Sequence, residues 1–106
     1  MKVLTVISTF NNNYGGVQKT AQIIVNKFHE KNHDSKILIT TSNPLNKNED
    51  LLKNIFEHIT VFDYSDTKNI INWSPNLIIF IDHSIDFQKI EKLFNLKEAF
   101  KICFSI

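Results

Sequence analysis

Short apolar runs alternate along this chain with stretches whose apolar residues recur at helical spacing, and that alternation constrains the fold more than any other feature. Lys2 to Ser8 reads as a first buried strand, β-branched and continuous in apolarity. Val17, Ala21, Ile24, Val25 and Phe28 then follow at i, i+4, i+7, i+8 and i+11, which is one face of a helix. That helix is expected to end near Lys31, with Asn32 in the left-handed position usually given to glycine. Ser35 to Thr41 reads as a second strand, and Asp50 begins a helix carrying Leu51, Leu52, Ile55 and Phe56. Ile59 to Tyr64 reads as a third strand and Asp66 to Trp73 as a short helix or turn. Pro75-Asn76 leads into Leu77 to Ile81, the most apolar run of the chain. Phe87, Ile90, Glu91 and Phe94 have helical spacing, and Lys101 to Ile106 reads as a fifth strand, with Cys103 packed in it as a small apolar residue.

Strands alternating with helices form right-handed βαβ units around a parallel sheet covered on both faces. The expected architecture is therefore α/β, a Rossmann-like three-layer α/β/α arrangement of one domain over residues 1–106. Its five-stranded parallel sheet is expected in the order 3-2-1-4-5. In that topology ligands bind at the carboxyl ends of the strands, beside the switch point between the first and fourth. Gly15-Gly16 follows the first strand and Asp82-His83-Ser84 follows the fourth, so two separate features converge on one expected crevice.

At Gly15, Gly16 and Val17 the chain passes from strand to helix with no Cβ in the way of a ligand, a geometry suited to phosphate or another anion. A tight turn required by the fold is the plainer alternative. Asn13 and Tyr14, with Asn11 and Asn12, have the side chains to hydrogen-bond a polyhydroxyl or a nucleotide, and are also ordinary loop residues. His83, beside Asp82 and Ser84, is placed to bind a hydroxyl or stabilise charge, or simply to close a strand. A nicotinamide-dinucleotide site fits poorly: the loop lacks G-x-G-x-x-G, and the second strand ends in Thr40-Thr41-Ser42 where an acid would hold a ribose. A phospho-accepting aspartate at Asp82 lacks the acidic pair that would hold Mg²⁺ after the first strand. His29, His33 and His58 are too scattered for a metal site, so neither metal nor cofactor is expected.

The chain has 106 residues and a net charge of +1, which argues against nucleic acid as a partner. All its basic side chains are Lys, so the Arg forks that usually read phosphates and base edges are missing. Cys103 stands alone, which excludes an internal disulfide and a CxxC motif and fits a reducing cytoplasm. The amino-terminal apolar stretch, broken by Thr5 and Ser8, is too short and polar for a signal peptide or a membrane span.

Met1-Lys2-Val3-Leu4, Ser8, Gly15-Gly16-Val17-Gln18, Glu30-Lys31-Asn32-His33 and Pro75-Asn76-Leu77-Ile78-Ile79 together resemble the N-terminal domain of GT-B glycosyltransferases of the retaining family-4 type. The match is strongest over about the first forty residues. Gln18 stands where that family often has an acid, Asn32 where it has Gly, and His83 lies slightly later than the family's histidines. The resemblance implies the acceptor-side half of an enzyme that moves a sugar from a nucleotide-diphosphate donor to a sugar or lipid-linked acceptor. Gly15 and Gly16 would then provide backbone contacts to the donor phosphates and His83 would line the acceptor side, with Val17, Asn13, Tyr14, Asp82 and Ser84 as further substrate-binding residues. The C-terminal domain that completes the cleft would be a partner outside these residues, so the chain alone is expected to be inactive. The full-length enzyme would be cytoplasmic, peripheral at the membrane. The alternative is a non-catalytic α/β binding or interaction module, with self-association through the open edge of strand five.

Overall fold

The computed structural model describes residues 1–10, 16–43, 47–81 and 85–104. Along these residues run β1 (Lys2–Ile7), α1 (Gly16–Glu30), β2 (Asp34–Ile39), α2 (Glu49–Ile55) and β3 (Val61–Asp63). A single 3₁₀ turn (Tyr64–Asp66), α3 (Thr67–Trp73), β4 (Leu77–Ile81), α4 (Glu91–Phe94) and β5 (Phe100–Phe104) follow. All the strand pairings are parallel, and the sheet order is β3-β2-β1-β4-β5, as the alternation of elements required.

The continuous apolarity of the strands is explained by burial on both faces. Val3 and Ile7 of β1 pack with Ile37, Ile39, Ile79 and Ile81 under α1 and α2, whose Ala21, Val25 and Leu52, with Phe56 just after α2, close that layer. Leu4 and Val6 point the other way, joining Leu38, Ile78 and Phe80 beneath Ile70 of α3 and Ile90 and Leu93 around α4. Each such side chain removed from water contributes about 1.5–3 kcal/mol to the favourable side of folding. Asn32 (φ 67°) and Ser74 (φ 59°) take the left-handed conformation that ends α1 and α3. The Ser35 hydroxyl, buried at the start of β2, donates to the Val25 carbonyl of α1 at 2.8 Å and locks that helix to the sheet.

Thr5 breaks the apolar pattern. It is fully buried in β1 between Ile37 and Ile79, and among the described residues its Oγ1 has no hydrogen-bond partner. A buried unpaired hydroxyl costs about 1–3 kcal/mol. Thr5→Val keeps the shape and deletes the hydroxyl, so it is expected to raise stability by about 1 kcal/mol. In a chain of this size that is a gain of about 4–8 °C in Tm. A lower Tm in a thermal melt would contradict the assignment.

Two expectations need correction at the carboxyl-terminal end. The helix expected over 87–94 is only Glu91–Phe94. Phe87 and Phe94 instead surround Phe80, with ring centroids 5.5 Å from it and 5.2 Å from each other, and that cluster replaces a regular helical face. Cys103 is exposed rather than packed. Its register partner Phe80 is covered, but the four residues of α4 do not extend over the neighbouring edge strand. On the opposite face Phe100, Ile102 and Phe104 continue the row of Leu77, Ile79 and Ile81, yet Phe100 is 70% exposed. Among the described residues that face of β5 is thus an apolar strip, exposed at Phe100 and Phe104 and part-buried at Ile102.

Candidate functional site

The strands being parallel, their carboxyl ends lie along one edge of the sheet, and the chain is tied together there. Beyond β1 and β2 the ladder continues, with Thr40 N–H donating to the Ile7 carbonyl at 3.0 Å and Thr41 N–H to the Ser8 carbonyl at 2.9 Å. Phe10 then forms a parallel bridge with Lys47, and its carbonyl accepts from Asn48 N–H at 2.8 Å. Segment 8–10 therefore runs between the exit of β2 and the entry to α2.

Gly16 is the first residue of α1, whose 15 residues make it the longest described helix. The first N–H groups of a helix have no intrahelical partner, and the macrodipole adds about half a positive charge there. No acidic side chain occupies that first turn. Gly16 does not have a positive φ, and a Cβ built on it would meet nothing within 4 Å. Neither backbone conformation nor packing against the described residues requires glycine at this position. Val17 is half-buried and packs on the α1–α2 core, so what it offers at the edge is its backbone. Of the other expected site residues, Asn13, Tyr14, Gly15, Asp82, His83 and Ser84 lie outside the described residues.

Gln18 fixes where α1 begins. Only 6% exposed, it donates from Nε2 to the Thr9 carbonyl at 3.4 Å and so ties the first turn of the helix to the exit of β1. Its signal in the sequence is a polar residue on the inner face of an amphipathic helix, between Val17 and Ala21.

Sequence reasoning missed a second group on the same edge, at the ends of β2 and β3. Lys47, with only 16% of its side chain exposed, places Nζ 3.5 Å from Glu49 Oε1 and 3.9 Å from Asp63 Oδ2. Asp63 caps the 3₁₀ turn: Oδ1 accepts from Ser65 N–H (2.9 Å) and Ser65 Oγ (3.1 Å), and Asp66 Oδ2 accepts in return from Asp63 N–H (2.9 Å). The Ser65 backbone N–H is the largest influence on the Asp63 carboxyl and, with smaller help from the Ser65 hydroxyl and the Lys47 ammonium, holds it below its ordinary pKa against the opposing effect of burial. A depressed carboxyl pKa stabilises the fold at pH values above the unfolded value of about 3.9 and loses that contribution as pH falls through the folded value. Asp63→Asn keeps a cap but carries no charge, so its loss of stability on acidification below about pH 4 should be shallower than that of the parent chain. Parallel acid-denaturation curves would contradict this. Lys89, from the β4–β5 connection, reaches the same place, with Nζ 3.3 Å from Ser42 Oγ and 5.2 Å from the Tyr64 ring centroid.

No family model, curated protein or solved structure matches the chain. The likeness to the GT-B amino-terminal domain therefore rests on the motif residues alone. Among the described residues no three His, Cys, Asp or Glu side chains are grouped to hold a metal ion, and no helix is long and apolar enough to cross a membrane. His29, His33 and His58 line a hollow at the opposite, amino-terminal edge of the sheet, away from the ends where parallel α/β folds bind ligands.

Proposed function

We propose that the chain is the acceptor-side wall of a glycosyltransferase that takes its sugar from a nucleotide-diphosphate donor, with a second domain supplying the donor-side wall. The observation that carries this proposal is Gly16. It opens the longest described helix beside the switch point of a parallel sheet, and among the described residues nothing lies within 4 Å of where its side chain would sit. The backbone N–H groups of a helix start and the helix dipole there suit a diphosphate. Gln18 supports it by holding the first turn rigidly against the exit of β1. In such an enzyme these backbone donors stabilise the charge that grows on the leaving diphosphate, and their placement before reaction makes them effective. Acceptor and donor meet only when the second wall is present, so the chain alone binds weakly and does not turn over.

The apolar strip Phe100–Ile102–Phe104, exposed at its two phenylalanines, favours a second reading, a non-catalytic module whose role is to hold another chain or a second copy. The two part in one titration of the ¹⁵N-labelled chain with UDP, GDP and their sugars. The glycosyltransferase proposal requires the amides of Gly16 and Val17 to shift at millimolar ligand. Unmoved amides there, with concentration-dependent self-association, leave the interaction module.

A further inference from the structure

A cavity of about 300 Å³ opens at the ends of β2 and β3, outside the Gly16 corner. Thr41 and Ser42 come to it from the exit of β2, Lys47 and Glu49 from the entry to α2, and Asp63 and Tyr64 from the exit of β3. No motif links these residues; only the parallel order of the strands gathers them. At about 30 Å³ per water the cavity has room for roughly ten waters, enough to hold one sugar ring.

The character of the lining narrows the ligand. Lys47 lies in the lining beside two carboxylates, Glu49 and Asp63, and Lys89, outside the lining, reaches its rim at Ser42 and Tyr64, so the charges gathered here cancel and neither sign of ion is strongly selected. Pure donors (the ammonium groups) alternate with pure acceptors (the carboxylates) and with the hydroxyls of Thr41 and Ser42, which do both. A ligand matched to such a mixture carries neighbouring groups that each donate and accept, as vicinal hydroxyls do. Tyr64 adds a partly exposed ring for an apolar C–H face. Lys47 and Asp63 are held by their own contacts before any ligand arrives, and this reduces the ordering that binding would otherwise require.

We infer that this cavity binds a neutral polyhydroxyl ligand, a single sugar ring or its glycoside, with Glu49 and Asp63 accepting from adjacent hydroxyls and Tyr64 beneath the ring. The ligand chemistry follows from the lining alone; that the sugar belongs to an acceptor rests on the function proposed above.

The test is an amide-shift titration of the full chain with methyl α-glucoside and methyl α-mannoside, with inorganic phosphate and ethylammonium as charged comparators. The expected result is saturable shifts at Thr41, Ser42, Lys47, Glu49 and Tyr64, weakened about tenfold or more in the double variant Glu49→Gln, Asp63→Asn. Tyr64→Leu should weaken the same shifts, while Ile23→Ala on the outer face of α1 should leave them unchanged. Both the double variant and Tyr64→Leu are checked for folding by their dispersed spectra. No glycoside shifts at high millimolar concentration, shifts elsewhere only, an undiminished response in a folded double variant, or a stronger response to phosphate or ethylammonium would each overturn the inference. A glycoside failure with the UDP response at Gly16 intact overturns the sugar cavity alone. A UDP failure with the glycoside response intact overturns the nucleotide-sugar proposal alone.

Discussion

Replacing Phe10 by alanine is expected to destabilise the chain by about 3–5 kcal/mol, the cost of removing a large aromatic side chain from a closed core. Phe10 is fully buried, and its ring meets that of Phe56 edge-on at a centroid distance of 5.5 Å. Phe56 follows α2, a helix of seven residues and far too short to be stable by itself. The hold of α2 on the sheet therefore depends on contacts such as this one, together with the Asn48 side chain, which accepts from Leu51 N–H at 3.0 Å and caps the helix. The backbone of Phe10 is bonded to Asn48 and bridged to Lys47, so loosening its side chain also loosens the base of the polar cavity. Against a typical total of 5–15 kcal/mol the loss is large. Urea unfolding should show a markedly lower midpoint, and the amides of Thr41, Lys47 and Glu49 should shift or broaden in the folded variant. A loss under about 1 kcal/mol would mean that Phe10 is not the keystone between β1 and α2.

Much of the fold is legible in the chain because burial on two faces leaves a strong mark. Leu77–Ile81, and Val3–Ile7 apart from Thr5, have no polar side, which in a short segment between helices means a covered parallel strand. Right-handed crossovers then leave only a few strand orders, of which 3-2-1-4-5 is one. The carboxyl-terminal third is harder to read, since Phe87, Ile90, Glu91 and Phe94 fit a helix by spacing. Their rings gain more by enclosing Phe80, and a tertiary contact overrides the local period there. Cys103 misleads for a related reason: an apolar residue in a strand is buried only if something lies over it, and nothing in residues 100–104 says that α4 stops short.

The candidate site divides in the same way. Gly16 is visible because glycine at a strand–helix junction has few causes, and packing against the described residues is not one of them. Gln18 is visible only as an anomaly on an apolar face, and its bond to Thr9 needs the fold to be seen. The Thr41, Lys47, Asp63 and Lys89 cluster is invisible along the chain, because four separate segments contribute to it and each residue by itself looks like an ordinary polar loop residue.

Gly16→Ala separates a structural glycine from a binding one. A methyl group at this position meets no described atom and sits at a permitted φ, so the variant should melt at the same temperature as the parent or slightly higher, by up to about 1 kcal/mol of added stability. The same methyl group lies where a diphosphate would approach the helix start, and the UDP-induced shifts at Val17 should weaken by about tenfold or more, a loss of about 1.4 kcal/mol. Undiminished stability with a lost nucleotide response is the predicted result. A parent chain whose Gly16 and Val17 amides ignore UDP and GDP, or a Gly16→Ala chain that responds to them as the parent does, would contradict it.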